Sequence, residues 1–100
     1  MNLTLATPAH AGAREQAQAL TAGLPEDLSD ATVTVNCAAL KVSTPSFFDE
    51  LVKVVLIDRC AGVLCLVDAT TRNETHARNA ARNRSVDSRL RVQLRSSLGA

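Results

Sequence analysis

The stretch TVTVNCAALKVSTPSFFDELVKVVLIDRCAGVLCLVD, residues 32–68, decides the fold, because it carries in order a strand, a turn, a helix and a second strand. Val33, Val35 and Cys37 fall on alternate positions, the period of a strand, and predict a central one over residues 31–40. Thr44 suits an N-cap, since Pro45 then takes the first helical position, where its missing N–H costs no hydrogen bond. Beyond it Phe48, Leu51, Val52 and Val55 form an inward stripe, with Ser46, Asp49, Glu50 and Lys53 on the opposite, water-facing side. Continuing the polar row leads to Leu56 and Ile57. Both are apolar, so another element or a partner must cover them unless the helix ends first. After Gly62 the unbroken apolar run of residues 63–67 suits a strand buried on both faces.

Outward from this centre, residues 2–6 alternate weakly as a first strand ended by Thr7 and Pro8. Residues 8–24 place Ala13, Ala17, Leu20 and Leu24 at helical spacing, and Gly23 and Pro25 close that helix. An acidic loop follows at 26–30. Thr71 and Glu74 have capping-box spacing and predict a third helix from about Arg72, with Ala77, Ala80 and Ala81 as its apolar stripe. Leu90, Val92 and Leu94 alternate with Arg91, Gln93 and Arg95 as a last strand would, although Leu90, Leu94 and Leu98 also match a helix; the strand is the expectation. Strands alternating with helices imply an α/β fold: a small, mostly parallel sheet of about four strands with helices packed on it, in a single domain.

One hundred residues suffice for one core. The only aromatic residues are Phe47 and Phe48, so Ala, Val and Leu must fill most of it. The formal net charge of +1 hides an asymmetry: residues 72–100 carry seven Arg against Glu74 and Asp87, and the preceding part of the chain is acidic. Cys37, Cys60 and Cys65 have neither Cys-x-x-Cys spacing nor a neighbouring His, which implies buried free thiols rather than a metal site. His10 and His76 lack partners at ligand or triad spacing and read as surface residues. With no signal-peptide pattern and no membrane-length apolar run, a soluble cytoplasmic protein without cofactor or metal is expected.

The run Ser46-Phe47-Phe48-Asp49-Glu50-Leu51, after the strand Val33-Thr34-Val35-Asn36 and the segment Leu40-Lys41-Val42-Ser43, resembles the STAS-like domains of bacteria, relatives of the anti-sigma-factor antagonists. Ala13-Arg14-Glu15-Gln16-Ala17 is similar to the helix before the central strand in those proteins. The resemblance covers about residues 10–84, leaving 85–100 as a terminal strand or tail. It implies a regulatory domain of bacterial type, with a kinase or sigma-regulatory protein as partner; the residues offer no nucleophile–base pair, so a non-enzymatic role is expected, and small Ala- and Arg-rich chains arise in bacteria and phage alike. It also implies phosphorylation of a hydroxyl at the helix start, for which Ser43, Thr44 and Ser46 are the candidates. The family's Asp-Ser-Ser or Asp-Ser-Thr signature stands here as Val42-Ser43-Thr44-Pro45.

Two functions from different classes follow. The first is protein docking through the turn and helix at 43–57, with Ser46, Asp49, Glu50, Lys53, Leu56 and Ile57 as the contact surface, and with self-association into a homodimer if Leu56 and Ile57 are exposed. The alternative is nucleic-acid or anion binding through the Arg-rich segment 72–95, above all Arg72, Arg78, Arg82 and Arg84. The absence of aromatic stacking platforms there argues against single-strand recognition. An arginine stripe that only keeps a helix face solvated is the plainer explanation.

Overall fold

The computed structural model describes residues 1–95. Strands β1 (Asn2–Ala6), β3 (Thr32–Asn36), β5 (Val63–Ala69) and β6 (Leu90–Leu94) form one parallel sheet in that order, and β2 (His10–Ala11) pairs with β4 (Val42–Ser43) as a separate two-residue bridge. Helices α1 (Arg14–Thr21), α2 (Pro45–Val52) and α3 (Thr71–Asn83) connect the four sheet strands. The expected α/β architecture with a four-stranded parallel sheet and packed helices is therefore the observed one. Residues 96–100, including Leu98, lie outside the described residues.

Each crossover steps to the next strand in the same direction, so connections of the usual right hand put all three helices on one face. Burial agrees. Leu3, Leu5, Val33, Val35, Leu64, Leu66, Leu90 and Val92 join the helices in one apolar cluster. The alternate residues Thr4, Thr34, Cys65 and Arg91 make a row across the other face, which no helix covers among the described residues. The expectation that 63–67 is buried on both faces is corrected accordingly: Val63, Cys65 and Val67 are half-buried, and only Leu64 and Leu66 are fully enclosed. An apolar run fixes a strand but not the number of layers around it.

Local chemistry sets the element ends. Strand β3 stops at Asn36, short of residue 40, because the Asn36 side chain accepts from the Ala38 N–H at 2.8 Å and turns the chain. Helix α1 is shorter than 8–24: its first turn is fixed by Gln16, whose Oε1 accepts from the N–H groups of Gly12 and Ala13. The cap of α3 is Thr70 rather than Thr71, its hydroxyl accepting from the Asn73 N–H at 3.1 Å. At the far end of α3, Ser85 N–H bonds to Arg82 O and Val86 N–H to Ala81 O, a Schellman closure with Ser85 in the left-handed region at φ 59°.

Helix α2 is the central one, flanked by α1 and α3 over the sheet. Phe47 and Phe48 are both fully buried and meet edge to face with centroids 5.1 Å apart. After Val52 the helix widens into a π-helical segment over Lys53–Asp58, where Arg59 N–H reaches back five residues to Val54 O. Widening resets the helical phase. Leu56 therefore turns into the core at 1% exposure while Ile57 is left 40% exposed, which separates two residues that simple periodicity treats alike.

Candidate functional site

Of the three candidate hydroxyls at the start of α2, two have structural work. Thr44 is the N-cap, with extended backbone at φ −129°, and its side chain accepts from the Phe47 N–H at 3.3 Å. Ser43 donates to Asn73 Oδ1 at 2.9 Å, tying β4 to α3. Ser46 is exposed, and its hydroxyl has no partner among the described residues.

Asp49 and Glu50 do not face water as their places in the polar row suggest. Asp49 accepts from Arg14 Nη1 at 2.7 Å and from Arg84 through Nε at 2.9 Å and Nη2 at 2.8 Å. Glu50 is only 6% exposed and accepts from Arg14 at 3.4 Å and from Gln18 at 3.0 Å. The side facing away from the sheet is flanked by α1 and α3, whose long polar side chains close over it. The Arg84 hydrogen bonds, with Arg14 behind them, hold the Asp49 carboxyl down at about 2. Lys53 pairs with Asp58 at 3.0 Å. Of the six expected docking residues, then, Asp49, Glu50 and Leu56 hold the fold, and Ser46, Lys53 and Ile57 remain at the surface.

Ser46 and Asp49 form one wall of a groove between α2 and α3 with a volume of about 350 Å³. His76, Asn79 and Asn83 line the other wall, Arg14 and Pro45 border it, and Ala80 supplies its small floor residue. His76 is no plain surface residue: it is half-buried, with its ring 6.2 Å from that of Phe48. Burial, and after it the charge of Arg72, lowers the pKa of its imidazole. The i, i+3 and i, i+4 spacings of His76, Asn79 and Asn83 put them on one strip of α3, a pattern visible in the sequence but uninformative without the facing helix.

Four of the C-terminal arginines, Arg78, Arg84, Arg89 and Arg95, are engaged within the fold. Arg78 pairs with Glu74 at 3.0 Å and Arg84 with Asp49 at 2.8 Å. Arg89 donates to Leu56 O and Ala61 O, capping the end of the π-helical segment, and Arg95 reaches Cys37 O, Ala38 O and Asp68 O. Arg72 and Arg82 are the exposed pair on α3. Cysteine placement also departs from expectation: Cys37 is buried, with its thiol pushed up to about 11 by burial, but Cys65 is half-buried and Cys60 exposed. Among the described residues no group of His, Cys, Asp and Glu could hold a metal ion, and no helix is long and apolar enough to cross a membrane. Comparison with protein-family models, curated proteins and solved structures found no match.

Proposed function

We propose that this chain is a non-enzymatic, STAS-like interaction domain of the cytoplasm that docks a protein partner along the outer side of α2. The contact residues are Ser46, Lys53 and Ile57, with Asp49 and Glu50 acting behind them by locking the helix in place. The observation that carries this reading is the exposure of Ile57 at 40% on a helix whose other large apolar side chains are buried. A side chain of that size gains by leaving water when a partner covers it. Ser46 is the site of control. Its hydroxyl is open to a kinase, and a phosphate there lies in the first turn of α2, near the helix's unpaired N–H groups, but three residues from the Asp49 carboxylate. The added charge competes with Asp49 for Arg14.

The test is affinity capture from native lysate after nuclease treatment, comparing wild type with a Lys53→Glu, Ile57→Asp double variant whose circular dichroism and melting match wild type. Loss of a captured protein in the variant supports the surface. Equal capture rejects it.

A further inference from the structure

We infer that the groove between α2 and α3 binds an oxyanion, a carboxylate or phosphate group, through the unoccupied edge of Arg14. The inference starts from how two arginines share Asp49. Arg84 spends its Nε–Nη2 edge on the carboxylate, with bonds of 2.9 and 2.8 Å. Arg14 meets the acidic pair end-on, Nη1 alone serving Asp49 at 2.7 Å and Glu50 at 3.4 Å. Its Nε and Nη2 have no partner among the described residues. That free edge is the one whose two parallel N–H groups match the two oxygens of a carboxylate or phosphate.

The surroundings select the same chemistry. Arg14 is 47% exposed and borders the groove, so the side chain is within reach of a ligand bound there. Asn79 and Asn83, both exposed, add amide donors one turn apart, and Ser46 adds a hydroxyl. The acceptor capacity of Asp49 is already engaged by three N–H groups from Arg14 and Arg84. Arg14 is thus the charged donor bordering the groove, and a cation entering here would meet it. The carboxylates of Asp49 and Glu50 balance Arg14 and Arg84 in charge, so selection comes from the shape of the donor array, and weak binding is expected. A groove of about 350 Å³ holds a small molecule's head group or one acidic side chain. This inference stands without the docking proposal, since it requires no macromolecular partner.

The experiment is a nuclear magnetic resonance titration of the isotope-labelled chain with sodium phosphate and, separately, sodium acetate, at neutral pH and constant ionic strength. Saturable shifts of the Arg14 Nε–H and of the Asn79 and Asn83 side-chain amides are expected. The affinity read from the remaining reporters falls several-fold in Arg14→Lys, which keeps the charge beside Asp49 but lacks the fork, and in an Asn79→Ala, Asn83→Ala variant, whose new residues favour the helix. Saturation by both salts assigns a general oxyanion site, and saturation by one names its class. Non-saturating shifts, shifts centred on Arg72 and Arg82, or equal affinity in a natively folded Arg14→Lys variant overturn the inference.

Discussion

Arg84 grips Asp49 with two parallel hydrogen bonds of 2.9 and 2.8 Å, and Arg14 adds a third bond to the same carboxylate at 2.7 Å. Arg14 opens α1, Asp49 lies in α2, and Arg84 follows the last residue of α3. One side chain thus fastens three helices side by side. The arrangement differs from an ordinary surface ion pair in being bidentate, networked and mostly shielded, with Asp49 23% and Arg84 28% exposed.

The first prediction concerns acid. With Asp49 held at about 2 in the folded state and an ordinary value near ~3.9 when unfolded, its ionised form stabilises the fold fully above the unfolded value. That contribution, about 2 kcal/mol, is lost as pH falls from ~4 towards ~2. Asp49→Asn should lower stability at neutral pH by a similar amount and flatten the acid limb. Urea denaturation of both proteins across this range measures it.

Adjacent positions on one helix should respond in opposite ways. Leu56→Asp buries a carboxylate in the core and is expected to abolish folding, whereas Ile57→Asp should leave the melting temperature within a few degrees of wild type. Thermal melts followed by circular dichroism separate the two outcomes. Equal damage at both positions would contradict the phase set by the π-helical segment.

Ser85 closes α3 in a conformation that glycine adopts without a side-chain clash. Ser85→Gly should therefore raise stability by roughly 0.5–1 kcal/mol, even though glycine adds entropy to the unfolded chain. Cys60, at φ 58° after the π-helical segment, should respond in the same direction to Cys60→Gly. Chemical denaturation of the two single variants and their combination checks both.

Arg89 is the other fastening point. Its guanidinium serves Leu56 O and Ala61 O, and Arg89→Met would leave those carbonyls without their donors. A loss of about 1–3 kcal/mol is expected. Hydrogen exchange should accelerate first at the amides of Arg59 and Ala61, which bond back into the π-helical segment.

Short-range signals were the legible ones. Thr44 and Pro45 announced the start of α2 because a cap needs only its own next three residues, and the alternation of Leu90, Val92 and Leu94 announced β6. The π-helical segment was illegible, since a change of helical phase leaves the same apolar residues in the same order. Asp49 and Glu50 looked like solvent-facing carboxylates because their arginine and glutamine partners lie more than thirty positions away. The groove needed both walls, and only one lies on α2. Ser46, Lys53 and Ile57 were legible as candidates, but what set them apart from Asp49, Glu50 and Leu56 was tertiary.

The strand order β1-β3-β5-β6 is also the order in which the chain is made. Every sheet strand after the first therefore docks on a neighbour that has already been synthesised, and none waits for a strand still to come. Loop closure stays short at each step, which favours stepwise assembly from the amino end. The last step brings in Arg84, which bonds Asp49, and Arg89, which seals the end of the π-helical segment. A nascent chain stopped before residue 84 would have most of its strands but neither fastening, making the final stretch the latch of the molecule.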